Sequence, residues 1–121
     1  MGTWAAGVYG NDAALDWMGD LIGSLSGEIN ENIADFDEGN GDSLLAALDT
    51  IAVLCANSGN APPKPAEVDG WHRNYFRCFD TYITGLDPDV EYLEAQRKVI
   101  SDVFSRLAEL SANFWDRKRR Q

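Results

Sequence analysis

Apolar residues return at three-and-four spacing in several separate stretches of this chain, the period of amphipathic helices packed by one face. The longest stretch, Asp87 to Arg120, carries Leu93, Ile100, Val103, Phe104, Leu107, Leu110, Phe114 and Trp115 in that register. Asp87-Pro88-Asp89 opens it with a capping carboxylate and a proline suited to a first helical turn. A helix of about 30 residues is roughly 45 Å long, enough for every other helix of a small domain to lie along it. Its charges fall on the other side, where Glu94–Lys98 and Asp102–Arg106 are expected as i,i+4 pairs.

The same period marks the earlier elements. After an aperiodic, glycine-bearing opening (residues 1–10), Asn11 is placed to cap a helix with Asp12 in its first turn. Ala14, Trp17, Met18, Leu21, Ile22 and Leu25 form its apolar face, and Trp4 and Tyr9 of the opening are expected to plug into the bundle. Gly19, Gly23 and Gly27 follow at i,i+4 spacing, and each costs about 1 kcal/mol in a helix interior, so a break is expected between Gly23 and Gly27. Leu44, Leu45, Leu48, Ile51, Ala52 and Cys55 define another helix that ends at Asn57-Ser58-Gly59-Asn60. Beyond a stiff connector, Ala61-Pro62-Pro63-Lys64-Pro65, a further helix turns Val68, Trp71, Tyr75, Cys78, Phe79 and Tyr82 inward and stops at Gly85. Asp69–Arg73 and Arg77–Asp80 are expected as a solvated ladder on its polar face. The pattern predicts an all-α single domain, residues 1–121, of four to five helices packed along the C-terminal one, with an up-and-down bundle as the expected topology.

Charge changes the picture more than composition does. Residues 1–63 hold ten Asp or Glu and no Lys or Arg, and residues 64–121 hold ten of each sign, so the net charge of −10 belongs wholly to the first half. The basic residues end in Arg117-Lys118-Arg119-Arg120. Nucleic acid is disfavoured as a ligand, because phosphate binding needs a basic face. A basic protein is the natural complement. The alternative is that the basic tail folds back, or reaches a neighbouring subunit, and neutralises the acidic half; a homo-oligomer is compatible with the same charges. No apolar run reaches the roughly 18 residues that span a bilayer, and no basic n-region precedes an apolar h-region, so a cytoplasmic protein without membrane attachment is expected. Ala6 defeats a myristoylation reading of Met1-Gly2. Cys55 and Cys78 are expected to be reduced and buried.

Within the acidic half, Glu28, Glu31, Asp35 and Glu38 fall at i, i+3, i+7 and i+10, which predicts one helical stripe opposite Ile29, Ile33 and Phe36. With Asp37 and Asp42 these carboxylates form the candidate interaction face. The run from Asp35 to Asp42 is not a calcium loop: the sixth position is Asn40 where glycine is required and the twelfth is Ala46 where glutamate is required. A solvated turn with Asp42 capping the next helix is expected instead.

Gly2-Thr3-Trp4, then Gly7-x-Tyr9-x-Asn11-Asp12, then Ala14-Leu15-Asp16-Trp17, resembles the opening of a bacterial family known as domain of unknown function 4259. That family opens Gly-(Thr or Ala)-Trp-Gly-x-Gly-x-Phe-x-Asn-Asp and runs into Ala-x-Asp-(Trp or Phe). This chain departs from it at Ala5 and at Tyr9, which keep the aromatic anchor and the Asn-Asp cap. The signature residues are therefore Trp4, Gly7, Tyr9, Asn11, Asp12, Asp16 and Trp17. The resemblance covers about the first 17 residues and implies a small, mostly helical bacterial protein without assigned catalytic residues.

Chemistry finds little purchase. His72 is the only histidine, and on a helix it diverges by about 120° from Cys78, so the two cannot pair as base and nucleophile. Zinc needs four ligands at paired spacing and a di-iron bundle needs two Glu-x-x-His units; the chain offers neither. Neither a phosphate loop nor a nucleophile elbow is present. No catalytic residue, cofactor or metal is expected. The favoured reading is a non-enzymatic interaction module, one concrete version being an immunity-type protein that blocks a basic toxin. The rival is a small enzyme or ligand-binding bundle with a pocket near Trp71 and His72.

Overall fold

The computed structural model describes residues 7–119. Four helices follow one another: α1 (Asp12–Asn32), α2 (Glu38–Ser58), α3 (Pro65–Leu86) and α4 (Val90–Arg119). There is no strand among the described residues. One apolar cluster joins all four helices, with Ile29, Leu48, Ile51, Tyr75, Ile100, Phe104 and Leu107 fully buried in it.

Each helix boundary has a local cause. The Asn11 side chain accepts the Ala14 amide at 2.9 Å, and Asp12 sits in the first turn, as the sequence predicts. The expected break at the glycines does not occur, because α1 runs unbroken through Gly19, Gly23 and Gly27. Met18, Ile22 and Ile29 are buried on either side of those glycines, and tertiary packing of that face outweighs the local propensity cost. The helix ends near Asn32, so the residues expected to continue its stripe lie elsewhere: Asp35 is in the connecting turn and Glu38 begins α2. The cap of α2 is Asp37, which accepts the Gly39 amide at 3.0 Å, rather than Asp42, which lies inside the helix.

Gly59, in the left-handed region at φ 77°, closes α2 where the sequence placed its end. Pro65 begins α3 after Lys64, which offers no side-chain cap. The connector between them is held from α4: Ser111 Oγ donates to the Pro63 carbonyl at 2.6 Å and Trp115 Nε1 donates to the Pro62 carbonyl at 3.0 Å. Gly85 is not the stop of α3. The helix continues to Leu86 and ends at Asp87, at φ 49°, because Pro88 disfavours the helical conformation of the residue before it. Asp87 is therefore a C-terminal residue of α3 and not the cap of α4; Asp89 takes that role and accepts the Glu91 amide at 3.0 Å.

Successive helices run antiparallel. The C-terminal end of α2 meets the start of α1 through Asn60, whose Nδ2 donates to the Leu15 carbonyl at 3.0 Å. Tyr75 donates its hydroxyl to the Gly41 carbonyl at 2.9 Å, tying α3 to the start of α2, and His72 stacks on Phe104 of α4 with centroids 4.7 Å apart. One end of the bundle thus collects the end of α1, the start of α2, the end of α3 and the start of α4.

Surface pairing also departs from the local rule. Asp69–Arg73 forms at 3.1 Å, but Arg77 donates to the Ala34 carbonyl and Asp80 pairs with Arg97 of α4. On α4 the i,i+4 pair is Lys98–Asp102 at 3.0 Å, while Arg106 reaches Asp49 of α2 at 3.8 Å. Arg97 and Arg106 thus find their carboxylates across a helix contact, whereas Arg73 and Lys98 find theirs one turn away on the same helix.

Candidate functional site

All six carboxylates of the candidate face, Glu28, Glu31, Asp35, Asp37, Glu38 and Asp42, are exposed. The turn after Asn32 divides them. Glu28 borders a groove of ≈ 250 Å³ between α1 and α2, opposite Asn40, Ser43 and Ala47. Glu38 and Asp42 point the other way and border a second depression of ≈ 290 Å³, where α2, the end of α3 and the start of α4 converge. The acids surround one end of the bundle instead of forming a single stripe.

The second depression combines two kinds of surface. Phe79, Tyr82 and Leu86 of α3 and Tyr92 of α4 supply aromatic and apolar walls, and Glu38, Asp42 and Asp89 supply carboxylates. Leu86 is 49% exposed and Tyr92 54%, so this apolar surface is uncovered. Its inner wall is fixed. A Cβ at Gly41 would lie 2.8 Å from the Tyr82 hydroxyl and 3.3 Å from Phe36, so only glycine lets α2 approach α3 this closely without displacement. Phe36 in turn packs on Tyr75 at 5.0 Å and on Tyr82 at 6.2 Å. Burial, followed by the negative charges of Asp42 and Glu38, pushes the Tyr82 phenol above its ordinary value. The Tyr75 phenol is raised in the same way, chiefly by burial.

The sequence pointed to Glu38 and Asp42 but missed Leu86, Asp89 and Tyr92. An exposed tyrosine beside a helix start is visible in the chain, yet Glu38, which borders the same hollow, lies 54 positions before Tyr92. Trp71 and His72, by contrast, do not converge. The buried Trp71 indole donates to Asn30 Oδ1 of α1 at 2.7 Å, whereas the His72 ring lies between Phe76 and Phe104, toward α4.

Of the signature residues, Trp4 lies outside the described residues. Tyr9 packs half-buried against the core, and Gly7 accepts the Gly10 amide at 3.0 Å in the turn before α1. Asn11 caps α1 with Asp12 in its first turn. Asp16 is exposed, and Trp17, expected on the apolar face, is 65% exposed; Leu21 is also on the surface. The packed face of α1 is carried by Met18, Ile22 and Ile29, a narrower stripe than the sequence pattern suggests.

Cys55 and Cys78 are buried free thiols. Burial pushes the Cys55 thiol up to about 11, and Cys78 faces the Ile33 and Ala34 carbonyls. No group of three or more His, Cys, Asp or Glu among the described residues could hold a metal ion, and no helix among them is long and apolar enough to cross a membrane. Comparisons with protein-family models, curated proteins and solved structures gave no match.

Proposed function

We propose that this protein is a non-enzymatic interaction module that presents its acidic end to a basic protein, in the manner of an immunity protein that blocks a basic toxin. The observation that supports this reading is the exposure of Glu28, Glu31, Asp35, Asp37, Glu38 and Asp42 around one end of the bundle, in a half of the chain without lysine or arginine. Arg77, the cation that approaches this end from α3, is held by the Ala34 carbonyl. Self-neutralisation by folding back finds no support at Arg117. It borders a hollow with Cys55 and Phe114 at the other end of the bundle, roughly 40 Å along α4 from Val90 and several screening lengths away. Such a surface steers a basic partner and speeds its approach. The resemblance at the N-terminus adds a proposed bacterial source and no activity.

The test is capture of a stoichiometric basic protein from the source cell at low salt, followed by a salt series. Replacing Glu28, Glu31 and Glu38 by Gln and Asp35 by Asn should reduce capture at least about tenfold and flatten its salt dependence, since several charges act together. Unchanged binding and an unchanged salt slope in that variant would refute the reading. The rival, an enzyme or ligand-binding bundle near Trp71 and His72, requires a bound metabolite in purified protein and an activity lost in His72→Ala.

A further inference from the structure

We infer that the depression between α2, α3 and α4 is an anchor pocket for an arginine side chain in a basic segment of the partner protein. This inference rests on the interaction reading above and gives it a specific contact. The surrounding acids provide charge complementarity, but an acidic surface alone attracts any cation. This hollow adds an apolar and aromatic lining, exposed at Leu86 and Tyr92 and half-buried at Tyr82, next to the carboxylates of Glu38, Asp42 and Asp89. Its volume of ≈ 290 Å³ is small, on the scale of one long side chain rather than an extended ligand.

Arginine fits this lining better than lysine. Its planar guanidinium stacks on aromatic faces and forks onto carboxylates, while its three-carbon stem covers apolar surface. The chain itself makes this arrangement next door. Arg97 pairs with Asp80, and its guanidinium carbon lies 5.6 Å from the centroid of Phe79, a ring that also lines the hollow. An arginine from a partner would repeat that pattern with Tyr82 or Tyr92 as the ring and Asp42 or Asp89 as the carboxylate. The inner wall is pre-formed, since the close approach of Gly41 and the Phe36 contacts hold Tyr82 in place before anything binds.

The probe is a short alanine- and glycine-based peptide carrying two arginines, compared with the same peptide carrying two lysines and with one carrying two citrullines. Amide shifts of the full-length protein are followed by NMR during titration. The arginine peptide should move the amides of Tyr82, Leu86 and Tyr92, with the lysine peptide weaker by at least about threefold and the citrulline peptide by at least about tenfold. Tyr92→Ala and Asp89→Asn, both exposed positions whose loss leaves the core intact, should each weaken the arginine peptide about fivefold. Glu28→Gln and Glu31→Gln should change it by less than about twofold. Equal losses from Glu28→Gln and Tyr92→Ala, or shifts spread evenly over the acidic end, would overturn the pocket while leaving the acidic interaction face standing. Binding by neither surface would count against both. Tight binding of a peptide with the sequence Arg117-Lys118-Arg119-Arg120 together with concentration-dependent self-association would overturn the foreign partner in favour of a second copy of this chain.

Discussion

Gly41 and Tyr82 meet so closely that the hydroxyl of one occupies the space of a side chain on the other: a Cβ on Gly41 would stand 2.8 Å from the Tyr82 oxygen. This contact sets the distance between α2 and α3 at the acidic end of the bundle. Gly41→Ala gains about 1 kcal/mol of helix propensity and meets an overpacking cost of about 1–3 kcal/mol, so a net loss of about 1 kcal/mol is expected. Tyr82→Phe removes the colliding atom. In the double variant the loss should be smaller than the sum of the two single losses by at least about 0.5 kcal/mol, measured by chemical denaturation. Simple additivity would show that the contact is not under compression.

Cys55 predicts a pH dependence. Its thiol ordinarily ionises near 9 and is held up to about 11 by burial, so the unfolded chain loses this proton before the folded one does. Between those values the folded state binds more protons, and stability must fall as pH rises; below about pH 9 the contribution is fully present. The raised phenols of Tyr75 and Tyr82 steepen the fall above about pH 10. Cys55→Ala should flatten the stability profile between pH 9 and 10 whatever it does to stability at neutral pH. An unaltered slope in denaturation series across that window would contradict the assignment.

The two left-handed C-termini predict changes of opposite sign. Gly59 at φ 77° has no atom near its missing Cβ, so Gly59→Ala costs backbone strain alone, about 1 kcal/mol. Asp87 at φ 49° already carries that strain, and Asp87→Gly should stabilise by a few tenths to about 1 kcal/mol. Thermal midpoints of the two variants should move in opposite directions.

The connector between α2 and α3 depends on two side chains of α4. Ser111 is fully buried and its hydroxyl meets the Pro63 carbonyl, so Ser111→Ala leaves that acceptor unpaired at a cost of about 1–3 kcal/mol. Trp115→Phe removes the second bond, to Pro62, from a half-buried position and should cost less. Limited proteolysis should find residues 59–64 cut faster in both variants, and fastest in the double variant.

Sequence periodicity alone determined that this is an all-α chain, that its last helix is the long one, and that Val68, Trp71, Tyr75, Phe79, Ile100, Phe104 and Leu107 face the core. These follow from the 3.6-residue repeat, because a helix exposes its apolar side chains at intervals set by its own geometry. The Asn11 cap and the Gly59 stop were equally local, each depending on one residue and the backbone beside it. The course of α1 through three glycines was not local; packing of Met18, Ile22 and Ile29 decided it. Tertiary structure also chose Asp80 for Arg97 and Asp49 for Arg106, because helix packing brings those carboxylates within reach, while Arg73 and Lys98 kept the local i,i+4 partner. The acidic end shows the division most clearly. Its charge was countable in the chain, but the union of Asp42, Tyr82 and Tyr92 in one hollow exists only because three helix ends converge there, and no repeat along a single helix encodes that meeting.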